Sequence, residues 1–283
     1  MTLRPLVLAL SLLPALAAAG PENSLRPQAR QEAAVATAPE DGDPKPEIAS
    51  VAKGGDAANG EDEATGSEVQ SVKVSEVPLP PPVREELDLS EAEQAACLAV
   101  LDLMRVTYTV SEPVIPGDDR DCGILRPVTV TEVAPGVALS PPATLRCPAA
   151  QALALWVRDF VQPAAARLSE RGALTAIRNG SDYVCRRRNN ATEGKLSEHA
   201  FGNALDVMGF DFSEGPNIPV EPREAQGSMA EAFQDAVRAS ACMEFTTVLG
   251  PGSNAAHDNH LHLDVIRRTR GWRLCEQGPG PEG

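Results

Sequence analysis

Two stretches, Ser197-Glu198-His199-Ala200-Phe201-Gly202-Asn203-Ala204-Leu205-Asp206 and His257-Asp258-Asn259-His260-Leu261-His262-Leu263-Asp264, hold all four histidines of a 283-residue chain. Residues 261–266, LHLDVI, read as a strand. Strand side chains alternate between faces, so His260, His262 and Asp264 point one way while Leu261 and Leu263 turn to the core. In the first stretch Gly202 breaks the local pattern and ALDVMGF, residues 204–210, resumes as a second strand with Asp206 and Met208 on a shared face. If these two strands pair, Asp206 lies beside His262 and His199 arrives from the preceding turn.

That arrangement puts two imidazoles and one carboxylate around a common point. Nitrogen and hard oxygen donors of this kind suit zinc. Three protein ligands (His199, Asp206 and His262) leave a fourth tetrahedral position open, as in a catalytic rather than a structural zinc site. The expected ion would lower the pKa of its water toward about 7 and polarise a substrate carbonyl. A single histidine beside a glycine turn is most often a packing or surface residue, and an HxH pair can be no more than a polar strand face. The gathering of every histidine into two short segments beside carboxylates is what favours a metal.

Working outward, the spacing predicts a folded domain over 84–278 with helices and strands mixed. Ser90-Glu91-Ala92-Glu93 is a capping box opening a helix that runs through Cys97 to Met104. Residues 127–133, PVTVTEV, alternate as a strand. Pro148 suits the first turn of a helix over AAQALALWVRDF, and Pro163 is expected to kink or end it. LTAIR, residues 174–178, reads as a strand. A second capping box at Ser228-Met229-Ala230-Glu231 starts a helix ending near Cys242, and FTTVL, residues 245–249, reads as a strand. Without a regular βαβ alternation, the fold class is α+β.

Residues 1–19 read as a secretory signal: Arg4, an apolar run from Leu6 to Leu16 too short to span a bilayer, then Ala17-Ala18-Ala19. Residues 20–83 are rich in Ala, Glu, Gly, Pro and Ser, close on Pro80-Pro81-Pro82, and read as a disordered acidic tether; 279–283 read as a disordered tail. All ten aromatic residues lie from Tyr108 onward. With 25 basic against 40 acidic side chains and a net charge of −15, phosphate contacts to nucleic acid are excluded as the mode of action. After signal cleavage no apolar run is long enough to span a membrane. Cys97, Cys122, Cys147, Cys185, Cys242 and Cys275 are even in number and lack CxxC spacing, so in an exported protein they read as three disulfides with fifteen possible pairings. Nothing in the sequence fixes an oligomeric state.

Ser197-x-His199-x-x-Gly202-x-Ala204-x-Asp206 followed by His260-x-His262 resembles the zinc peptidases of bacterial cell-wall peptides, the D-alanyl-D-alanine carboxypeptidases and penicillin-insensitive murein endopeptidases. With YVCRRRN (183–189), LSEHAFGNALDV (196–207), FTTVLGPG (245–252) and HLHLD (260–264), the chain resembles more closely the bacterial extensin-like C-terminal domain family. The resemblance implies a Hedgehog/DD-peptidase-like fold, a small mostly antiparallel sheet with flanking helices, stapled by disulfides. It implies His199, Asp206 and His262 as zinc ligands, and His260 as the group that stabilises an oxyanion or moves protons. The dipeptidase branch carries a glutamate base three residues before the last ligand; here that position is Asn259, so His260, then His257 or Asp258, are the candidate bases. Arg186 and Arg188 are candidates for a substrate carboxylate. Ser197 either contacts substrate or caps its turn. Asp264 either orients a ligand or pairs with Arg267 or Arg268, and Glu198 reads as a surface residue. The implied function is an exported, periplasmic zinc peptidase acting on peptidoglycan stem peptides or cross-links. The alternative is a zinc-containing module that binds peptidoglycan without cleaving it.

Overall fold

Ser90 opens the first long helix as its sequence predicts. Its hydroxyl accepts from the Glu93 backbone N–H at 3.2 Å, and the Glu93 carboxylate accepts from the Ser90 N–H at 2.9 Å, so two otherwise orphaned donors are satisfied. The computed structural model describes residues 79–117, 119–223 and 227–275. The expected signal segment, the tether up to residue 78 and the tail from 279 lie outside the described residues.

In chain order the elements are α1 (Val83–Glu86), α2 (Glu91–Leu103), β1 (Thr107–Val110), β2 (Pro127–Ala134), β3 (Val137–Arg146), α3 (Cys147–Trp156), α4 (Gln162–Ala165), β4 (Leu174–Ser181), β5 (Ala204–Phe212), β6 (Ile218–Pro219), α5 (Met229–Glu244), β7 (Thr247–Leu249), β8 (Leu261–Asp264) and β9 (Leu274–Cys275). The strands form one mixed sheet in the order β1-β2-β3-β4-β5-β8-β7-β9, with β6 on β5. Its pairs are antiparallel except β3/β4 and β7/β9. This is the expected α+β class, a mostly antiparallel sheet with few helices. No helix among the described residues is long and apolar enough to cross a membrane.

Two local expectations need correction. Pro163 does not end its helix: the turn before it, Val157–Val161, widens so that the Gln162 N–H bonds the Val157 carbonyl five residues back, and α4 carries the proline onward. A widened turn makes room for a ring that would otherwise press on the preceding turn. At α5 only half of the second capping box forms. The Ser228 hydroxyl accepts from the Glu231 N–H at 3.1 Å, but the Glu231 carboxylate takes the Gly227 N–H at 2.8 Å instead of that of Ser228.

Helices α2, α3 and α5 contribute to one apolar core with the inward faces of the sheet. Trp156, fully buried, donates to the Val237 carbonyl at 2.9 Å and meets Phe210 and Phe245 edge-on, each with centroids 6.2 Å away. Leu205 and Val207 on β5, and Leu261 and Leu263 on β8, enter the same core. Alternation therefore turns Asp206 and His262 to the other side, as expected. The β4/β5 register places Asn179 opposite Val207 and Arg178 opposite Gly209, so Met208 is an extra residue. This bulge reverses the alternation and lets Phe210 and Phe212 join Leu205 and Val207 in the core.

All six cysteines pair, as Cys97–Cys147, Cys122–Cys185 and Cys242–Cys275. The first joins α2 to the start of α3 and the last joins α5 to β9. The middle one anchors a smaller apolar cluster of Cys122, Ala200 and Phe201, packed by Val83, Leu87, Cys185 and Leu196. That cluster lies under the turn carrying His199.

Candidate functional site

The turn Glu198–Phe201 is a single 3-10 turn with all four side chains buried. It ends at Gly202, which has φ +65° and whose N–H bonds the His199 carbonyl at 3.1 Å. A Cβ at Gly202 would lie 2.2 Å from Ile124 Cδ1, and left-handed backbone costs a side-chain-bearing residue about 1–2 kcal/mol even in open space. Gly202→Ala is therefore expected to destabilise the fold by about 2 kcal/mol or more and to lower metal uptake by displacing His199. Thermal melts and metal content of the purified variant check this; a wild-type Tm would refute it.

From this turn His199 reaches the sheet. Its Nδ1 lies 2.6 Å from the Asp182 carbonyl oxygen, and its Nε2 lies 3.2 Å from Asp206 Oδ1 and 3.1 Å from His262 Nδ1. Asp206 and His262 are cross-strand partners in the antiparallel β5/β8 pair, with His262 Nδ1 3.0 Å from Asp206 Oδ1. On its far side His262 Nε2 faces Asp264 Oδ2 at 3.2 Å. The three expected ligands thus converge.

The outer partners fix the tautomers. A carbonyl oxygen can only accept, so His199 carries its proton on Nδ1. The Asp264 carboxylate likewise holds the His262 proton on Nε2. The three inner atoms, His199 Nε2, His262 Nδ1 and Asp206 Oδ1, then all present lone pairs to one another at 3.0–3.2 Å. Such a group requires a cation between or upon its members. Donor atoms about 2.0–2.1 Å from a tetrahedral zinc stand about 3.3 Å apart, close to the observed separations. The residues fit the ion.

Without a metal the cation is a proton. Burial opposes charge on His262, but hydrogen bonds to Asp206 and Asp264 and the charges of both carboxylates outweigh it and raise its pKa to about 9. Burial also works against ionised Asp206, yet the two imidazoles hold its carboxyl well below the usual range. Because the His262 pKa is raised in the fold, its contribution to stability is complete below the ordinary value of 6.5 and is lost as pH rises through about 9. Metal-free protein is expected to lose several degrees of Tm across this window, while metal-loaded protein, whose ion replaces the proton, holds its Tm. Melts on chelator-treated and zinc-loaded samples measure the difference; parallel curves would contradict it.

His260 lies beside the cluster rather than in it. Its Nε2 is 3.7 Å from Asp206 Oδ1, and its Nδ1 is 2.8 Å from Asn259 Oδ1. Burial lowers its pKa, with added repulsion from His262, His199 and Arg186 against attraction from Asp206. The ring is therefore neutral, with Nδ1–H donated to Asn259 and the Nε2 lone pair available. His257, held through Nδ1 by Asn254 Oδ1 at 2.7 Å, is pushed down to about 4 by burial, with the charge of His262 adding to it.

These groups line a cavity of about 510 Å³ together with Ser197, Arg186 and Arg188. Ser197 is buried and makes no capping bond to its turn, so the capping reading fails. Arg188 is tied to Glu198, Nη2 to Oε1 at 3.7 Å, whereas Arg186 has no ion-pair partner among the described residues. Asp264 orients His262 and accepts from the Ile266 N–H at 3.1 Å; it pairs with neither Arg267 nor Arg268. Glu198 is not a surface residue: it is 7% exposed, accepts from the Asn203 amide at 2.9 Å, and burial raises its pKa. A four-residue turn has no periodicity that could have announced this. Asp182 was also missed, because it acts through a backbone carbonyl that any residue supplies.

An imidazole nitrogen and a carboxylate oxygen on paired strands, a second imidazole from the turn before them, and a third imidazole alongside in a cavity define a candidate centre for one metal ion. The profile of the family described as extensin-like protein C-terminus matches residues 95–276. The chain belongs to that family. No curated protein and no solved structure matches the chain.

Proposed function

We propose that the protein is an exported zinc-dependent peptidase acting on peptidoglycan stem peptides or cross-links. The observation that carries this reading is the meeting of three lone-pair donors at 3.0–3.2 Å with the free Nε2 of His260 beside them. The likeness of the His199, Asp206 and His262 pattern to the cell-wall zinc peptidases, and of their Hedgehog/DD-peptidase fold to the fold expected here, supports the substrate class. The periplasm is the proposed location, from the signal-like first residues and that substrate.

His199, Asp206 and His262 would hold the ion, and Asp264 and the Asp182 carbonyl keep the two imidazoles in the ligating tautomer. Zinc, when bound, supplies a Lewis acid that polarises the scissile carbonyl and acidifies water. His260 Nε2 takes the proton of the attacking water and returns it to the amine that leaves as the C–N bond breaks. Asn259, at the position of the dipeptidase glutamate, cannot act as base, but it holds His260 Nδ1–H and so keeps Nε2 basic. Arg186 offers its guanidinium to a carboxylate of the peptide.

The test is metal content of the purified chain, then incubation with purified sacculi and mass spectrometry of the soluble products. Zinc-dependent release of fragments is expected, and their masses name the bond. The absence of a carboxylate at Asn259 favours one second reading, a module that holds zinc and binds the wall without cutting it. Saturable binding to sacculi with no fragments released would establish that reading instead.

A further inference from the structure

The cavity has a third guanidinium on its wall, beside those of Arg186 and Arg188. Arg268 follows β8, donates through Nη2 to Thr247 Oγ1 at 2.5 Å and lies over the ring of Trp272, 4.4 Å from its centroid. Arg188 on the same wall pairs with Glu198, Nη2 to Oε1 at 3.7 Å. Arg186 and Arg268 line the cavity and find no carboxylate among the described residues, although Asp206, Asp264 and Glu198 line it too. The Arg268 Nε is buried and makes no hydrogen bond. A guanidinium held flat by stacking and one hydroxyl is pre-set for a planar anion, with little side-chain freedom left to lose.

The two arginines reach the cavity from different segments. Arg268 bonds Thr247, the register partner of Asp264 across β7/β8. Arg186 precedes the His199 turn, its carbonyl accepting from the Ser197 N–H at 2.9 Å. Asp206 and His262 line the cavity with them.

We propose that Arg268 is a specificity-determining residue and that the cavity takes a peptide carrying two carboxylates, one received by Arg186 and the other by Arg268. This deepens the peptidase reading and rests on its assignment of the cavity as the peptide site. A cell-wall stem, with its side-chain and terminal carboxylates, has this character; a neutral peptide lacks it.

Calorimetry on the zinc-loaded full chain tests the pairing without requiring cleavage. The probes are N-acetylated tetrapeptides with a glutamyl side chain at the first residue and a free C-terminus, and the two analogues in which one or the other carboxylate is an amide. Wild type is expected to bind the dicarboxylate about 10-fold or more tighter than either amide. Arg268→Gln is expected to lose the preference for one carboxylate and Arg186→Gln for the other, while Arg268→Lys regains part of the loss. Equal binding of all three peptides by wild type, no binding of any, or an unchanged pattern in Arg268→Gln would overturn the proposal. If sacculi are not cleaved but the crossed pattern is found, the two-carboxylate site stands and the peptidase reading falls. If sacculi are cleaved and the pattern is absent, the reverse holds.

Discussion

His262→Ala is expected to abolish zinc binding and fragment release together. His262 supplies one of three converging lone pairs, and two protein donors hold zinc far more weakly than three. The loss reaches beyond the ion. In metal-free protein the His262 ring is the cation between Asp206 and Asp264, both nearly buried, at 3.0 and 3.2 Å. Removing it takes that shared cation from two buried carboxylates, leaving Asp206 with His199 and Asp264 with the Ile266 N–H, a change that costs about 3–5 kcal/mol. The variant should therefore bind no zinc, release nothing from sacculi, and melt well below wild type. His262→Gln fills the volume and serves as the milder control, still without zinc. Metal content and product analysis on both variants check this. Fragment release by zinc-free His262→Ala would end the metallopeptidase mechanism.

His260→Ala should divide what His262→Ala loses as a whole. His260 Nε2 stands 3.7 Å from Asp206 Oδ1, outside the group of three, so zinc stays near wild-type content. Turnover should fall by about 10²–10⁴-fold, the usual worth of a positioned acid–base group, with KM little changed. The informative measurement is kcat against KM at fixed zinc occupancy. Lost zinc would make His260 a ligand, and an unchanged kcat would pass the proton-carrying role to another group lining the cavity. Asn259→Ala, which frees His260 Nδ1, should give a weaker loss in the same direction.

Much of the centre was legible because strand alternation is simple. Leu261 and Leu263 had to face the core, so His262 and Asp264 had to face away, and the pairing of β8 with β5 then placed Asp206 opposite His262. The disulfide partners were not legible, since sequence separation says nothing about which loops meet. β3 escaped notice because Ser140-Pro141-Pro142 reads as a break. The prolines in fact fall where the strand makes no register pair with β2, between Ala138 and Ala143. Glu198 was misread for want of any pattern in a single turn, and Arg268 because nothing in residues 266–272 announces that Trp272 will stack on it.

Asp206 and His262 meet only in one alignment of β5 and β8. Sliding either strand by a single position would send its donor into the apolar interior and bring a leucine or valine out in its place. Metal capture thus doubles as a gauge of strand alignment. A coloured substitute such as cobalt, added during refolding, would light up when the two central strands lock and stay dark in any misaligned collapse.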